Sequence, residues 1–357
     1  MPTEHTPPLN STPMSDYPHA GLLILPRLRV QNANAISSPM TWGFPSITAF
    51  TGLMTAIERR FGADSGVRFQ SVGVICHGFE AQVTQGGYTR SFCLTRNPVL
   101  QDGSTAAIVE EGRVHLDVTL VFAVRLQGAL IDDALRAQRA ADIAHLVAGM
   151  RIAGGSVMPP LPGTLRQVPQ ARLVLQASSS ELLSKQFQRL RRHWMPGFAL
   201  VSRDDVLHKR LAQLRVKAET EAIATPTPPT LLDAWLDLSR LNYRATTDEK
   251  TQAVEWAPDV RPGWLVPIPV GYAALSELHA PGTVAGARDT AVPFRFVESV
   301  YSIGQWISPH RLDNFSQLLW QPEYASDTGL YRCTNSYPAT AASDFDNAIT
   351  ELSIIED

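Results

Sequence analysis

Side-chain amides and hydroxyls are concentrated in one stretch near the beginning of the chain. The stretch holds three amides, two hydroxyls and two aromatic rings: Gln31, Asn32, Asn34, Ser37, Ser38, Trp42 and Phe44. Amides and hydroxyls suit the edges of nucleobases, and aromatic rings suit their faces. A helix cap or a local turn needs one asparagine rather than three amides, so the composition favours contact with a ligand. For the two aromatic residues, a place in the hydrophobic core is the more frequent alternative.

Two further pairs of residues could contact a nucleic acid. His77 and Phe79 lie in CHGFEAQ at the end of a predicted strand. They could hydrogen-bond to a base and stack on it, or they could be a surface histidine beside a core phenylalanine. Arg96 and Asn97 precede Pro98 in a loop. That pair suits a phosphate or a base, and a solvated turn is the alternative.

A glycine pair, Gly154 and Gly155, precedes Ser156. Glycines let backbone N–H groups approach an anion closely. The surrounding sequence lacks the GxxxxGK[ST] pattern of nucleotide-hydrolysing proteins. Termination of a helix is the alternative interpretation of the pair.

Residues 185–217 form a strongly basic stretch. It carries nine basic side chains against Asp204 and Asp205, a net charge of +7 in a chain whose total is −3. The basic residues are Lys185, Arg189, Arg191, Arg192, Arg203, Lys209, Arg210, Arg215 and Lys217. Because the total charge is negative, any nucleic-acid site must be local. This stretch is the strongest physical indication of an acidic partner, and a solvated helix face is the alternative.

Residues for catalysis or metal binding form no recognisable pattern. The nine histidines are dispersed, and no His, Cys, Asp or Glu cluster has metal-ligand spacing. Ser308-Pro309-His310-Arg311 has neither a nucleophile elbow nor an acidic partner beside it. The three cysteines form no CxxC pair, which fits a reducing cytoplasm. We therefore predict a cytoplasmic protein with no catalytic residue, no metal and no cofactor, and no membrane span of ~20 apolar residues.

The hydrophobic pattern supplies a frame for these residues. Residues 22–30 predict a strand, residues 31–44 a polar loop, and Ser46 the cap of an amphipathic helix. Further strands are predicted at 67–76, 79–94 (a hairpin turning at Gly86-Gly87), 113–124 and 171–177, and a helix from Asp132 or Asp133 to Gly154-Gly155. This helix is predicted to bury Leu135, Ile143, Leu146, Val147 and Met150. The order indicates an α+β fold with a ferredoxin-like (RRM-type) antiparallel sheet and helices on one face.

The second half of the chain is predicted to alternate helices and strands. Two helices surround PGFALVS, residues 225–230 form a linker, LLDAWLDLSRLNY forms a helix, and residues 245–260 form a polar, mobile loop. Beyond residue 332 the chain holds acidic residues and no basic one. We expect that tail to be solvated and dispensable.

The stretch LPRLRVQNANAISSPMTWGFPSITAFTGLMTAI resembles the start of the small-thumbed RAMP subunit of the type I-F CRISPR surveillance (Csy) complex. RAMP proteins share a strand, a Pro-Ser step and a helix with a glycine, here Pro45-Ser46 and Gly52. The resemblance extends over residues 21–332. It implies a RAMP fold with a thumb and a C-terminal α/β appendage, and a Gly-rich loop for which RIAGGSVMPPLPG (151–163) is the candidate. It also implies a structural role, because crRNA processing belongs to a different subunit.

The resemblance implies a non-catalytic RNA-binding subunit of a type I-F CRISPR effector (Cascade) complex in antiviral defence. Such a subunit binds the 5′ handle of the crRNA, pairs with the large PAM-reading subunit and contacts the adjacent backbone subunit. It reaches target DNA only through the assembled complex. The predicted RNA-binding residues are Arg27, Gln31, Asn32, Asn34, Ser38, Trp42, His77, Phe79, Arg96, Asn97, Gly154, Gly155, Arg189, Arg192 and Arg203.

The predicted organisation has four parts. These are a disordered extension (1–20), a RAMP ferredoxin-like domain (21–180), a basic helical segment with a C-terminal part that completes the fold (181–332), and an acidic tail (333–357). Two other functions stay open, a metal-independent endoribonuclease acting on CRISPR repeat RNA and a protein scaffold without RNA contact.

Overall fold

The computed structural model describes residues 16–62, 65–96, 99–160, 169–220, 227–247, 251, 253–287 and 289–337. The strands are β1 (His19–Asn34), β2 (Ile36–Ser38), β3 (Thr41–Trp42), β4 (Val67–Ala81), β5 (Val83–Gly86), β6 (Thr89–Phe92), β7 (Leu94–Arg96), β8 (Ile108–Glu110), β9 (Arg113–Leu126), β10 (Arg151–Ile152), β11 (Gly155–Met158), β12 (Arg172–Leu175), β13 (Phe198–Ser202), β14 (Tyr243–Thr247), β15 (Val254–Pro258), β16 (Trp264–Ala274), β17 (Val297–Ile307), β18 (Trp320–Ala325) and β19 (Leu330–Asn335). The α-helices are α1 (Ile47–Phe61), α2 (Asp133–Ala148), α3 (Ser180–Arg191), α4 (Asp204–Thr220), α5 (Leu231–Ser239) and α6 (Phe315–Leu318).

The chain divides into two compact units. The first comprises Met1–Ala199 and Ser308–Pro322, and the second comprises Leu200–Ile307 and Glu323–Asp357. The predicted domain division between residues 180 and 181 stays a prediction. None of the helices in the described part of the chain combines the length and the apolar character needed to span a membrane.

An antiparallel sheet forms the frame of the first unit. β1 pairs with β9 on one side and with both β11 and β12 on the other, and β9 pairs in turn with β4. α1 packs against β4, and α2 packs against β12. The predicted mixed fold with an antiparallel sheet is thus confirmed.

The alternation predicted for β9 is also confirmed. Val114, Leu116 and Val118 are buried, whereas His115 and Asp117 between them are partly exposed. Successive side chains of a strand point to opposite faces, so β9 presents apolar residues to the core and polar residues to the other face of the sheet.

The predicted loop at residues 31–44 is wrong in its first part, because β1 continues through to Asn34. Two β-bulges allow this continuation. The residues of β1 opposite the core-facing positions of β9 are Leu25, Leu28, Val30 and Ala33. Their spacing of three, two and three residues departs from the period of two that identifies a strand in sequence. Arg27 and Asn32 lie in the two bulges and have positive φ angles of 53° and 57°.

The helices α1 and α2 of the first unit begin where the sequence predicts. Ser46 caps α1 by accepting a hydrogen bond from the backbone N–H of Thr48 at 3.2 Å. Asp132 caps α2 by accepting from the backbone N–H of Leu135 at 2.9 Å. Such caps satisfy N–H groups that have no partner within the helix.

The predicted end of α2 is wrong. The helix ends at Ala148 with Gly149 as its C-cap, and Gly154 and Gly155 belong to a tight hairpin of β10 and β11. Leu135, predicted to be buried, is 51% exposed because it lies in the first turn of the helix.

A segment from late in the sequence completes the first unit. The ring of Phe187 on α3 lies 5.9 Å from the ring of Trp194 and 4.9 Å from that of Phe315, measured between centroids. Trp320, the first residue of β18, pairs with Val72 of β4. The apolar cluster therefore depends on residues about 130 positions apart in the chain.

The second unit is built on the β16–β17 hairpin, with β19 beside β16. α4 and α5 pack on this hairpin through a cluster that includes Leu207, Trp235 and Ile303. The indole Nε1 of Trp235 donates to the carbonyl oxygen of Ser302 at 3.0 Å. A buried indole keeps its hydrogen bond in this way.

The predicted mobile loop at residues 245–260 is wrong. β14 and β15 form an antiparallel hairpin there, from the pair Tyr243–Pro258 to the pair Thr247–Val254. Arg244 donates to Asp259 at 2.5 Å and 2.9 Å and fixes the base of the hairpin. The composition is polar because the strand residues are exposed, so hydrophobicity gave no strand signal.

The folded part extends slightly beyond the predicted ends. Tyr17 is 1% exposed, and β1 begins at His19, within the predicted extension. At the other end Cys333 is 1% exposed and lies in β19, so the predicted tail at residue 333 begins too early. Three sets of predicted residues lie outside the described residues. These are the remainder of both terminal segments, residues 161–163 of the candidate Gly-rich loop, and residues 225–226 of the linker.

Candidate nucleic-acid interface

The first bulge of β1 is fixed by a chain of hydrogen bonds. The backbone N–H of Arg27 donates to Thr119 Oγ1 at 3.1 Å, and that oxygen lies 2.8 Å from His77 Nε2. His77 Nδ1 lies 2.7 Å from the carbonyl oxygen of Pro196. A carbonyl only accepts, so Nδ1 carries the hydrogen and Nε2 accepts from the threonine hydroxyl.

Burial lowers the pKa of His77, in agreement with this neutral tautomer. Both ring nitrogens are engaged by protein groups, so His77 positions the bulge rather than presenting an edge to a base. The side chain of Arg27 is 42% exposed, and its Nη2 lies 3.2 Å from Asp117 Oδ2.

The second bulge repeats the arrangement with a different histidine. The backbone N–H of Asn32 donates to His115 Nδ1 at 3.2 Å. Asn34, by contrast, uses its amide locally: Nδ2 donates to the carbonyl oxygen of Ile36 at 2.8 Å, and Oδ1 accepts from the Ile36 N–H at 3.1 Å. The local-turn alternative therefore describes Asn34, while the side chains of Gln31 and Asn32 are exposed.

Gln31 and Asn32 meet the β10–β11 hairpin in a cleft of about 330 Å³, which we call the amide cleft. Its other lining residues are Gln82, Cys93, Glu111, Arg113, Arg151, Gly154 and Ser156. Gly155 permits the close approach of the hairpin to β1, because a Cβ atom there would lie 2.7 Å from the backbone oxygen of Gln31. The amide cleft thus joins two parts of the sequence that were predicted separately as RNA contacts.

The electrostatics of the amide cleft favour an anionic ligand that has polar edges. Arg113 Nε donates to Glu111 Oε2 at 2.8 Å, whereas Arg151 Nη1 donates to the carbonyl oxygen of Gly154 at 3.1 Å. Guanidinium groups suit phosphates, and amides suit base edges.

A second cleft of about 420 Å³ opens on the polar side of the sheet, and we call it the sheet cleft. Its lining residues are Arg29, Val30, Gln31, Gly78, Phe79, Glu80, His115, Leu116, Asp117 and Met158. No sequence pattern assigned Arg29, Arg113, His115, Asp117 or Arg151 to a site. The alternation of β9 could have identified His115 and Asp117, because it places both on the polar face.

Two predicted aromatic contacts are exposed. Trp42 is 45% exposed and lies 6.3 Å from the ring of Phe92, and Phe79 is 44% exposed beside the sheet cleft. The alternative prediction, that these two residues belong to the hydrophobic core, is therefore wrong. The core prediction is right for Phe44, whose ring stacks at 5.8 Å on the buried Phe50.

The remaining loop candidates differ in their surroundings. Ser38 Oγ lies 2.7 Å from Thr41 Oγ1 and closes the turn between β2 and β3. Arg96 is the last residue of β7. Asn97 lies outside the described residues.

The basic stretch divides into exposed and structural residues. Arg189 and Arg192 are exposed at the end of α3. Arg203 is 4% exposed, its Nε donates to Asp205 at 2.9 Å, and its Nη1 donates to Gln305. Arg203 therefore stabilises the second unit and does not offer its charge to a phosphate. Protein groups also engage Lys185, Arg191, Arg210 and Arg215.

Within the described ranges, no group of three or more His, Cys, Asp or Glu side chains is placed to hold a metal ion. Burial raises the pKa of the Cys76 thiol to about 11, so this cysteine is protonated at neutral pH.

Comparison with known proteins identifies the class of this chain. The family model described as "CRISPR-associated protein (Cas_Csy2)" matches residues 23–333, so the class is that of the CRISPR-associated proteins. The CRISPR-associated protein Csy2 of Pseudomonas aeruginosa (strain UCBPP-PA14) is 47% identical over 318 residues, which cover 87% of this chain and 94% of the relative. The chain therefore belongs to the Cas_Csy2 family. The resemblance predicted from the sequence is confirmed at this level.

Proposed function

We propose that this chain is an RNA-binding structural subunit of a type I-F CRISPR effector complex and that it holds the 5′ handle of the crRNA. The observation that carries the proposal is the amide cleft, in which Gln31 and Asn32 lie beside Gly154 and Arg151. Family membership supplies the CRISPR context, and the cleft supplies the chemistry for a single-stranded RNA.

The topology of the first unit supports a RAMP assignment. Its main elements follow the order β1, α1, β4, β9, α2 and β11–β12, and the sheet order runs from β11 and β12 through β1 and β9 to β4. A β-α-β-β-α-β order is that of ferredoxin-like domains. We therefore assign the first unit to the RAMP variant of that fold.

The amide cleft would hold an RNA end by two separate means. The guanidinium group of Arg151 would contact a phosphate, which provides affinity for any RNA, whereas Arg113 is paired with Glu111. The amides of Gln31 and Asn32 would contact base edges, which provides preference for the handle sequence. The β-bulge fixes the backbone of Asn32, so its side chain starts from a rigid position.

The proposed role is non-catalytic and depends on partners. We propose that the chain pairs with the large PAM-reading subunit, contacts the adjacent backbone subunit and reaches target DNA only through the complex. His77 would be a natural candidate for acid–base catalysis, but both of its ring nitrogens are engaged within the protein. This engagement supports a structural role over an endoribonuclease.

The test is RNA affinity, measured with the chain co-purified with the large subunit. Labelled handle RNA and a scrambled RNA are titrated at two salt concentrations with the parent, Gln31→Ala and Asn32→Gly. Glycine is chosen at position 32 because it tolerates the positive φ. Each variant should lose about 1–3 kcal/mol of affinity for handle RNA only, by analogy with a bidentate base contact.

Gln138→Ala provides the matched control, since it removes an exposed amide from α2. Equal losses of affinity for the handle RNA and the scrambled RNA would mean that the second bulge shapes the site but does not recognise a base. Cleavage of repeat RNA by the parent would favour the endoribonuclease, and an absence of any RNA binding would favour the pure scaffold.

A further inference from the structure

The polar face of the sheet carries an arrangement that the proposed contacts in the amide cleft do not use. Strand register places side chains there in one row and in two pairs beside it. One row consists of Met158, Arg29, Asp117 and Gly78. Beside it, Ser156 pairs with Gln31 and His115 pairs with Glu80, and the register between β1 and β9 shifts at the second bulge between these two pairs. Residues paired on neighbouring strands lie on the same face. The row and the two pairs therefore form one polar surface around the sheet cleft.

Asp117 has acceptor capacity that the protein does not fill. Its Oδ2 lies 3.2 Å from Arg27 Nη2, and its side chain is 27% exposed. Its Oδ1 is buried and has no hydrogen-bond partner among the described residues. Buried polar atoms almost always have partners, and an ionised carboxylate accepts about four hydrogen bonds. Asp117 also lines the sheet cleft and is exposed there in part, so a ligand in the cleft that donates a hydrogen bond would add to the partners of this carboxylate.

His115 supplies the complementary group. Its Nδ1 accepts from the backbone N–H of Asn32, so the hydrogen of the neutral ring is on Nε2. His115 and Asp117 are two residues apart on β9, a rise of about 7 Å. One donor and one acceptor are therefore held at a fixed spacing on one face.

The neighbours of this pair leave room and balance charge. Gly78 occupies the place beside Asp117 in its row, and a Cβ atom there would lie 3.3 Å from Asp117 Cβ. Arg27 offsets the charge of Asp117, which would otherwise repel a phosphate backbone. The cleft volume of about 420 Å³ falls in the range of small-molecule sites.

We infer that the sheet cleft binds one nucleobase that carries an exocyclic amino group. Asp117 accepts a hydrogen bond from that amino group, and His115 Nε2 donates to an acceptor on the same base. Uracil is disfavoured, because it has no amino group and its one edge donor, the N3–H, lies between two carbonyl oxygens that the carboxylate repels. This inference rests on the proposed function, since it takes the ligand to be a base of the crRNA handle.

The experiment removes amino groups from the RNA one position at a time. Handle RNAs carry uridine for cytidine, inosine for guanosine, or purine riboside for adenosine, and their affinities are measured with the co-purified parent complex. At one position the loss should be roughly 5- to 100-fold. In Asp117→Asn the substituted and unsubstituted RNAs should bind alike at that position.

A matched variant separates the base contact from a change in net charge. Asp142→Asn makes the same substitution on α2, where Gln138 donates to Asp142 at 2.8 Å, and it should keep the full preference. Gly78→Ala leaves the Arg27–Asp117 ion pair in place and crowds the space beside the carboxylate, so it should reduce the preference even where Asp117→Asn folds poorly.

The outcomes separate this inference from the proposed function. Preference for the amino group that persists in both Asp117→Asn and Gly78→Ala overturns the base pocket and leaves handle binding intact. If the parent binds the handle and its affinity depends on no amino group, the base pocket is likewise overturned and handle binding remains. A parent complex that binds no RNA overturns the proposed function together with the inference.

Discussion

Thr119 is the residue on which the first bulge depends. Its hydroxyl accepts from the backbone of Arg27 and donates to His77, which in turn is fixed by the carbonyl of Pro196. Each of these groups would lack a partner if its neighbour were removed, and an unsatisfied buried polar group costs about 1–3 kcal/mol. Side chains that never touch a ligand thus determine where Arg27 is presented.

The lowered pKa of His77 predicts a pH dependence of stability. Burial disfavours the charged ring, so the unfolded chain binds a proton more readily than the folded chain. Stability is then complete above the ordinary pKa of 6.5 and is lost as the pH falls below it toward the folded pKa. Thermal unfolding midpoints measured across this range should fall less steeply in His77→Gln. His193→Gln is the control, because His193 is exposed. If the unfolding midpoints of the parent and His77→Gln fall equally steeply with pH, His77 is not the cause of the pH dependence.

Two arginines of the basic stretch should respond in opposite ways. Arg203→Ala leaves Asp205 and Gln305 without their buried partner and should destabilise the chain by about 3 kcal/mol. Arg192→Ala removes an exposed charge and should change stability by no more than about 0.5 kcal/mol. If Arg192 contacts a phosphate, its loss also reduces the slope of log affinity against log salt by about one. Denaturant unfolding and RNA titration together check both expectations, and a stable Arg203→Ala would contradict the first.

The close approach of the β10–β11 hairpin to β1 depends on a missing side chain. Gly155→Ala would place Cβ 2.7 Å from backbone atoms of Gln31 and Ala33, and we expect overpacking to cost about 1–3 kcal/mol. Gly86→Ala is the control, because no atom lies within 4 Å of a Cβ there. Thermal unfolding measures both. Equal melting temperatures for the two variants would mean that the hairpin can move away from β1.

The sequence identified elements whose signals are local. Caps at Ser46 and Asp132 and the alternation of β9 were read correctly, because each depends on residues within one turn or one strand. The second half of β1 was misread as a loop, because its bulges break the alternation. The β14–β15 hairpin was missed for a different reason: its strands are exposed throughout, so no apolar face marked them.

The residues that line the amide cleft could be predicted from the sequence only in part. The amide composition identified Gln31 and Asn32, and the glycine pair identified Gly154, but nothing in the sequence showed that they meet. Asn34 and Arg203 were assigned to RNA, although their side chains bind protein groups instead. Such assignments need the register of distant strands and the position of distant partners, and neither follows from composition.

At the scale of the whole molecule, the second unit is notable for its large apolar side chains that are exposed. Trp264, Leu275, Leu278 and Phe296 are 58%, 69%, 57% and 50% exposed. Large exposed apolar residues favour association with a partner. We expect the isolated chain to self-associate, and the large subunit to suppress this.

Light scattering of the chain with and without the large subunit checks that expectation. Substituting Leu275 and Leu278 together with serine should reduce self-association and weaken the heterodimer. Val260→Ser is the matched control, because Val260 is fully exposed outside this group. A monodisperse parent with no affinity for the large subunit would contradict the predicted pairing.

The two bulges of β1 also determine where this strand can lose a residue without a change in the facing of its side chains. Deleting Asn32 would leave Gln31 as the single residue between Val30 and Ala33, so Ala33 would keep its place opposite Val114 without an irregularity. A deletion outside the two bulges would turn every following side chain of β1 to the wrong face. The strand should therefore tolerate loss of one residue from the second bulge and not from the regular parts of β1. The protein that lacks Asn32 should melt near the parent temperature while losing its preference for handle RNA. Natural length variation in this strand, wherever it occurs, is then expected to fall at the bulges.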